Sequence, residues 1–221
     1  MVQFACWSVK GGSGTTVVSV ALASLLAGSS RAGALLVDLA GDVPAVCGVA
    51  EPSGPGVAGW LEAGPDVPAD ALTRLEVDGP GGLRLLARGA ADEPGALLGG
   101  GRAGVLAALL AADPRAVVAD CGSGPVGAGG AVVAAAACSL LILRPCYLSL
   151  RLAQRVGRRP TGIVIVGDAD RTLRAPDVEA VLDAPVVATV TTDAQVARAV
   201  DAGVLGHRLP RSLRRSLRHV A

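Results

Sequence analysis

Residues 8–16, SVKGGSGTT, have the composition of a loop that holds phosphate. Gly11, Gly12 and Gly14 allow a backbone to turn its N–H groups inward as an anion nest, with Ser13 between them. Apolar-periodic sequence follows at once. A helix starting near Thr15 would add unpaired N–H groups and the positive end of its dipole. Thr16 is placed to offer a hydroxyl to Mg²⁺. The general form of such a loop is GxxxxGK[ST], whose lysine reaches the phosphates. Here Val9 replaces the first glycine and Thr15 replaces the lysine. A glycine turn of this kind also has a plain use, joining a strand to a helix.

Lys10 weighs against the plain use. It is the only lysine in 221 residues, in a chain whose other basic side chains counted are all arginine. Lysine is a compact point charge on a flexible stem, which arginine does not replace in a tight phosphate nest. Two further stretches add acids. LLVDLAGD puts Asp38 at a strand end with Asp42 four residues on, and VVADCGSG puts Asp120 at a strand end, followed by Gly122 and Gly124. An acid after an apolar strand is what a Mg²⁺-water ligand opposite a phosphate loop needs. Each aspartate alone reads equally well as a cap or turn residue, but three strand-end signals in one chain argue for a shared site. The candidate set is Lys10, Gly11, Gly12, Ser13, Gly14, Thr15, Thr16 and Gly124 for phosphate, Thr16 and Asp120 for Mg²⁺, and Lys10, Asp38 and Asp42 for chemistry.

The rest of the chain must position these groups. Strands are expected over 2–9, 34–39, 83–87, 139–143, 162–167 and 185–190, and RAVVADCGSGP (115–125) as a strand running into a glycine turn. Helices are expected over 15–27, 104–112, 126–137, 148–156, 177–182 and 194–202, with a short one around Trp60 and a basic helical tail from Leu209. Continuous Val/Leu/Ile runs mark strands buried on both faces. Their alternation with helices predicts an α/β fold, a mostly parallel twisted sheet with helices on both faces. Length favours one domain over 1–221. Hydrophobic residues make up 51% but aromatic ones 2%, so the core must be Ala, Val and Leu.

A net charge of +1 gives no overall field towards nucleic acid or anionic membrane. Five cysteines without a CxxC pair, and two histidines remote from them, argue against a zinc site or disulfide framework and for a reducing cytosol. No secretory leader is expected, and the longest apolar run, 131–143, is too short for an ordinary membrane span.

On these motifs the sequence resembles the ParA/MinD family of deviant-Walker P-loop (SIMIBI-like) ATPases, whose loop reads roughly KGGxGKTT. KGGSGTT matches it except at Thr15, and LLVDLAGD and VVADCGSG resemble the family's two acidic segments. The resemblance continues through GLRLLARG, LLILRPCYLSLRLAQR and VVATVTTDAQVARAVDAG to LPRSLRRSL, nearly the whole chain. The later stretches resemble the CpaE/TadZ branch, which serves Tad pilus assembly at the cell pole. That branch often lacks the second loop lysine, and many of its members carry a receiver-like domain before the loop.

The resemblance implies ATP and Mg²⁺ as ligands and a homodimer that sandwiches nucleotide, with Lys10 reaching the phosphates of the other subunit. It implies protein partners in a positioning, division or pilus machinery, and a cytoplasmic protein peripheral to the membrane or cell pole. The family's water-activating acid falls at Ala40, with Asp38 and Asp42 as imperfect substitutes. Its adenine-contacting Asn is absent near Gly167 and Asp168, so ATP over GTP is a family inference. Losing one lysine–phosphate bond costs about 1.5–3 kcal/mol, roughly ten- to a hundredfold in affinity. Losing one preorganised donor costs on the order of 10²–10³ in rate. Binding with very slow or no hydrolysis is therefore expected.

In the tail, Leu209, Leu213, Leu217 and Val220 fall at helical spacing, with Arg211, Arg214, Arg215 and Arg218 largely opposite. The alternatives are docking on the protein's own sheet, a membrane surface, or an acidic partner or DNA. Arg144, Tyr147, Arg151 and Arg155 fall at helical spacing too, as a partner face would, although such rows are usually solvated surface. Three functional readings follow: a nucleotide-dependent dimeric switch, a degenerate scaffold acting by protein contacts alone, and a metabolic phosphotransferase. The third lacks an acid/base constellation, since both histidines sit in the tail.

Overall fold

Strand segments such as ALLVD carry apolar side chains on both faces, and each becomes an interior strand with a helix layer above and below. The computed structural model describes residues 3–64, 66–89, 101–168 and 172–221. Its strands are β1 (Gln3–Ser8), β2 (Ala34–Asp38), β3 (Val77–Asp78), β4 (Leu83–Leu86), β5 (Ala116–Ser123), β6 (Cys138–Leu143), β7 (Gly162–Gly167) and β8 (Val186–Thr191). They form one sheet in the order β3-β4-β2-β5-β1-β6-β7-β8. All neighbours are parallel except the edge pair β3–β4. Val2, the expected first residue of the first strand, lies outside the described residues.

The helices are α1 (Thr15–Ser29), α2 (Val43–Cys47), α3 (Gly56–Glu62), α4 (Ala103–Ala112), α5 (Gly127–Ala135), α6 (Tyr147–Val156), α7 (Ala175–Leu182), α8 (Ala194–Asp201) and α9 (Arg211–Leu217). Strand residues alternate between the two layers, as the period of two requires. Ala5 and Trp7 join a core with α3 to α7, whereas Phe4 and Cys6 join one with α1, α2, α8 and α9. The buried Trp7 indole donates to Ser139 Oγ at 3.0 Å, so one of the chain's few aromatics enters the core without an orphaned N–H. α1 packs against β5, α2 and α9, which explains why it is apolar on nearly every side.

The expected strands and helices are present. Helix α2, the 3₁₀ turn Ala69–Leu75 and the two-residue β3 were not anticipated. Strand β3 is too short to show a period. An ionic cluster holds it: Glu76, just before it, takes both Arg115 guanidinium nitrogens at 2.7 and 2.8 Å and also meets Arg84. Arg84 pairs in turn with Asp78.

The connection leaving β1 runs to β2 on one side of the sheet, whereas that leaving β5 crosses to β6 on the other. The change of direction opens a crevice at the carboxyl ends of β1 and β5, where ligands of such sheets bind.

Candidate functional site

The glycine loop lies in that crevice, with a shape fixed by its own hydroxyls. Ser8 Oγ and Ser13 Oγ both donate to the Lys10 carbonyl, at 3.0 and 2.9 Å. Gly124 donates its N–H to the Ser8 carbonyl at 2.8 Å, tying the turn after β5 to the end of β1. Gly12 and Gly14 have φ of 72° and 91°, a region that favours glycine. Gly14 precedes α1, and no side chain caps the helix. The first N–H groups of a fifteen-residue helix therefore lack a side-chain partner, as an anion site requires.

Asp38 and Asp120 stand side by side on β2 and β5. Both are fully buried. Asp38 Oδ1 accepts from Ala40 N at 3.0 Å and Gly41 N at 2.6 Å, and Oδ2 accepts from Val43 N at 3.1 Å. Burial pushes its carboxyl up to about 6, against the pull of those N–H groups. Asp120 Oδ1 accepts from Gly122 N at 3.1 Å, and Oδ2 has no hydrogen-bond partner. Burial pushes it up to about 7. The Thr16 hydroxyl approaches and favours the charged form without closing a bond to Oδ2, while the charge of Asp38 opposes ionisation.

The loop forms one wall of a cavity of about 1120 Å³. Gly11, Gly12, Ser13, Gly14, Thr15 and Thr16 all line it, as does Asp42. Lys10, Asp38, Asp120 and Gly124 do not. The Asp38 carboxylate holds the turn into α2 together, a structural role rather than a place against a reacting atom. Gly124 serves the loop's shape through its N–H. Lys10 lies towards α6, where its charge acts on the Cys146 thiol. Ala40 and the Cys121–Gly122–Ser123 end of β5 belong to the two acidic segments, whereas Arg88 and residues 200–203 complete the wall without a local signal. Arg88 follows β4 at the end of GLRLLARG, a stretch with no phosphate or acid signal of its own, and only the fold brings it to Ala40.

These features suit a magnesium nucleotide. The loop offers inward glycines and an uncapped helix start, and Asp120 Oδ2 is a buried acceptor lacking a donor, beside the Thr16 hydroxyl. Among the described residues no group of three or more His, Cys, Asp or Glu is arranged to hold a metal ion. Mg²⁺ does not need one, since it is usually held by one or two carboxylates, waters and the substrate's own phosphates.

In the tail, Leu213 and Leu217 are fully buried against the core of α1, α2 and α8. The apolar face of α9 therefore docks on the protein itself, leaving Arg211, Arg214, Arg215 and Arg218 exposed. No described helix is long and apolar enough to cross a membrane. Arg144, Tyr147, Arg151 and Arg155 are exposed at and along α6.

No family model matches the sequence, and no curated protein is significantly similar to it. Solved structures share its fold. A ParA family ATPase from Chlorobium tepidum TLS superposes with a TM-score of 0.79 at 19% identity, over 98% of this chain and 95% of that one. The septum site-determining protein MinD from Pyrococcus horikoshii OT3, in complex with Mg-ADP, gives 0.78 at 16% identity over 97% and 92%. An ATP complex of a McdA variant from Cyanothece gives 0.71 at 17% identity over 100% and 96%. The eight-stranded, mostly parallel sheet with its two helix layers is thus the P-loop fold of the ParA/MinD ATPases.

Proposed function

We propose that residues 1–221 form one ParA/MinD-like domain that binds Mg-ATP in the cavity beside the glycine loop and dimerises with it. The observation that carries this reading is the division of labour around the loop. Residues 11–16 line the cavity, whereas Lys10, the chain's only lysine, stands outside it. Lys10, outside its own chain's cavity, would then serve the phosphates of a second copy. The loop N–H groups and the start of α1 hold the phosphates. Thr16 and Asp120 serve Mg²⁺, whose charge would offset that of the phosphates. Thr15 lines the wall as a neutral side chain, and Ala40 offers no base, so hydrolysis is very slow or absent. The protein then works as a binding switch in a positioning machinery, with a Tad pilus, a division site or a chromosome as cargo. A switch of this kind shifts its dimer equilibrium only by the nucleotide's differential affinity for the two states.

Sedimentation velocity without nucleotide, with Mg-ADP and with Mg-ATP tests this beside Lys10→Ala. The expected result is a dimer seen only with Mg-ATP and lost in the variant. One species under every condition would favour the scaffold reading, for which Thr15 at the lysine position is the supporting observation.

A further inference from the structure

Among the described residues lining the cavity, one carries a positive charge, and it is not on the loop. Arg88 enters from the far wall, beyond β2. Its backbone is fixed, because Ala58 N donates to the Arg88 carbonyl at 3.0 Å. Its stem passes Gly41, where a Cβ would meet Arg88 Cδ at 3.5 Å, and Nη1 donates to the Ala40 carbonyl at 3.1 Å. Nε is buried with no acceptor, and no carboxylate pairs with the guanidinium among the described residues. Ala40 in turn lies against Gly122, whose Cβ, if present, would meet it at 3.3 Å. A cation that no carboxylate of the described residues pairs is therefore held over the turn that faces the glycine loop.

We propose that Arg88 is a phosphate ligand of this cavity, taking the terminal phosphate of a bound nucleoside triphosphate from the wall opposite the loop. This rests on the nucleotide reading above and deepens it. The guanidinium supplies, from β4, the positive charge that Thr15 does not supply from α1. Its planar set of donors matches a phosphate's oxygens.

Titration calorimetry with Mg-ATP and Mg-ADP on the wild type, Arg88→Met and Arg88→Lys tests the assignment. Nucleotide-free melting curves serve as the check on folding. The wild type should prefer ATP. Arg88→Met, which keeps the stem, should weaken ATP about ten- to a hundredfold, the range for one charge-assisted bond. Its ADP affinity should change less than about threefold, since that ligand lacks the phosphate Arg88 takes. Arg88→Lys keeps a charge and a donor for Ala40, and should retain a preference for ATP even if the methionine variant fails to fold. Unchanged ATP binding in Arg88→Met, equal losses for both nucleotides, or no ATP preference in Arg88→Lys would overturn the assignment and leave nucleotide binding standing. A wild type that binds neither nucleotide would remove the underlying reading as well.

Discussion

Asp38 and Asp120 share a register row on neighbouring strands, equally buried, and the structure uses them differently. Three N–H groups of the following turn fill the oxygens of Asp38. Asp120 meets one, and its Oδ2 meets none. A buried carboxylate with satisfied lone pairs holds a loop in shape. A buried oxygen left open costs the fold free energy, which a ligand recovers. In sequence the two acids look alike, each an apolar run to Asp before a glycine, but β2 ends at Asp38 whereas β5 runs on to Ser123, so the next few N–H groups point differently.

The largest expected effect tests that difference directly. Asp38→Ala strips the acceptor from three backbone donors. At about 1–3 kcal/mol for each donor left unsatisfied, with Ala40 N and Gly41 N only half-buried and so at the low end, the loss is on the order of 3–5 kcal/mol. For a chain of this size about 2–4 °C follows per kcal/mol, so melting should fall by roughly 10 °C. Asp120→Asn keeps an acceptor for Gly122 N and removes a buried charge, so the nucleotide-free protein should melt within about 3 °C of the wild type. Its Mg-ATP stabilisation should disappear. Equal melting losses in the two variants would erase the distinction between a structural acid and a ligand acid.

A smaller effect comes from pH. Both acids are raised by burial, Asp38 to about 6 and Asp120 to about 7. Above the ordinary carboxylate range, the folded protein keeps protons that the unfolded chain has released. Stability falls with pH wherever the folded state binds more protons. These two groups therefore stabilise most below about pH 4, and that stability is lost as pH rises through the folded values. Denaturant titrations of the nucleotide-free protein at several pH values should show the decline, and Asp120→Asn should flatten its upper part. A decline that survives unchanged in Asp120→Asn would mean that Asp120 is already ionised, its open oxygen solvated.

How far the sequence disclosed this arrangement follows from the range of each interaction. Continuous apolar runs such as ALLVD and SLLIL mark strands because burial on both faces leaves no polar positions. The glycine loop is legible because its φ requirements are local. The α1, β5 and Asp120 positions follow from the same short-range logic. Helix α2 is five residues with Pro44 in its first turn, too short to show a period. Strand β3 depends on Glu76 meeting Arg115, 39 positions away. Arg88 reaches Ala40 across 48 positions, and nothing beside it in the chain announces that contact. The structural use of Asp38 was hidden for a subtler reason. Its three donors lie within five residues, but so do the residues of any strand-end turn, and only coordinates show which N–H groups converge.

The smallest effect uses the cysteines as reporters on the same acid row. Cys6 and Cys47 are buried, and burial, with Asp120 beside the first and Asp38 beside the second, pushes both thiols up to about 12. Cys121 is raised in the same way beside Asp120. Cys146 differs. It precedes α6, shares a 3.2 Å contact with Ser149 Oγ, and feels the charge of Lys10, which together hold its thiol below the ordinary value. The thiolate is the nucleophile. Iodoacetamide near neutral pH should therefore label Cys146 first and leave Cys6, Cys47 and Cys121 until the protein unfolds, as peptide mass mapping would show. Removing Lys10 should slow Cys146 by roughly two- to threefold, the effect of one nearby charge in a solvated setting. Asp120→Asn should leave that rate alone, because the open oxygen lies within the sheet and the lysine at its rim. Cys6 labelling as fast as Cys146 would mean that water reaches the acid row, and the partner missing from Asp120 Oδ2 would then be solvent rather than a bound ion.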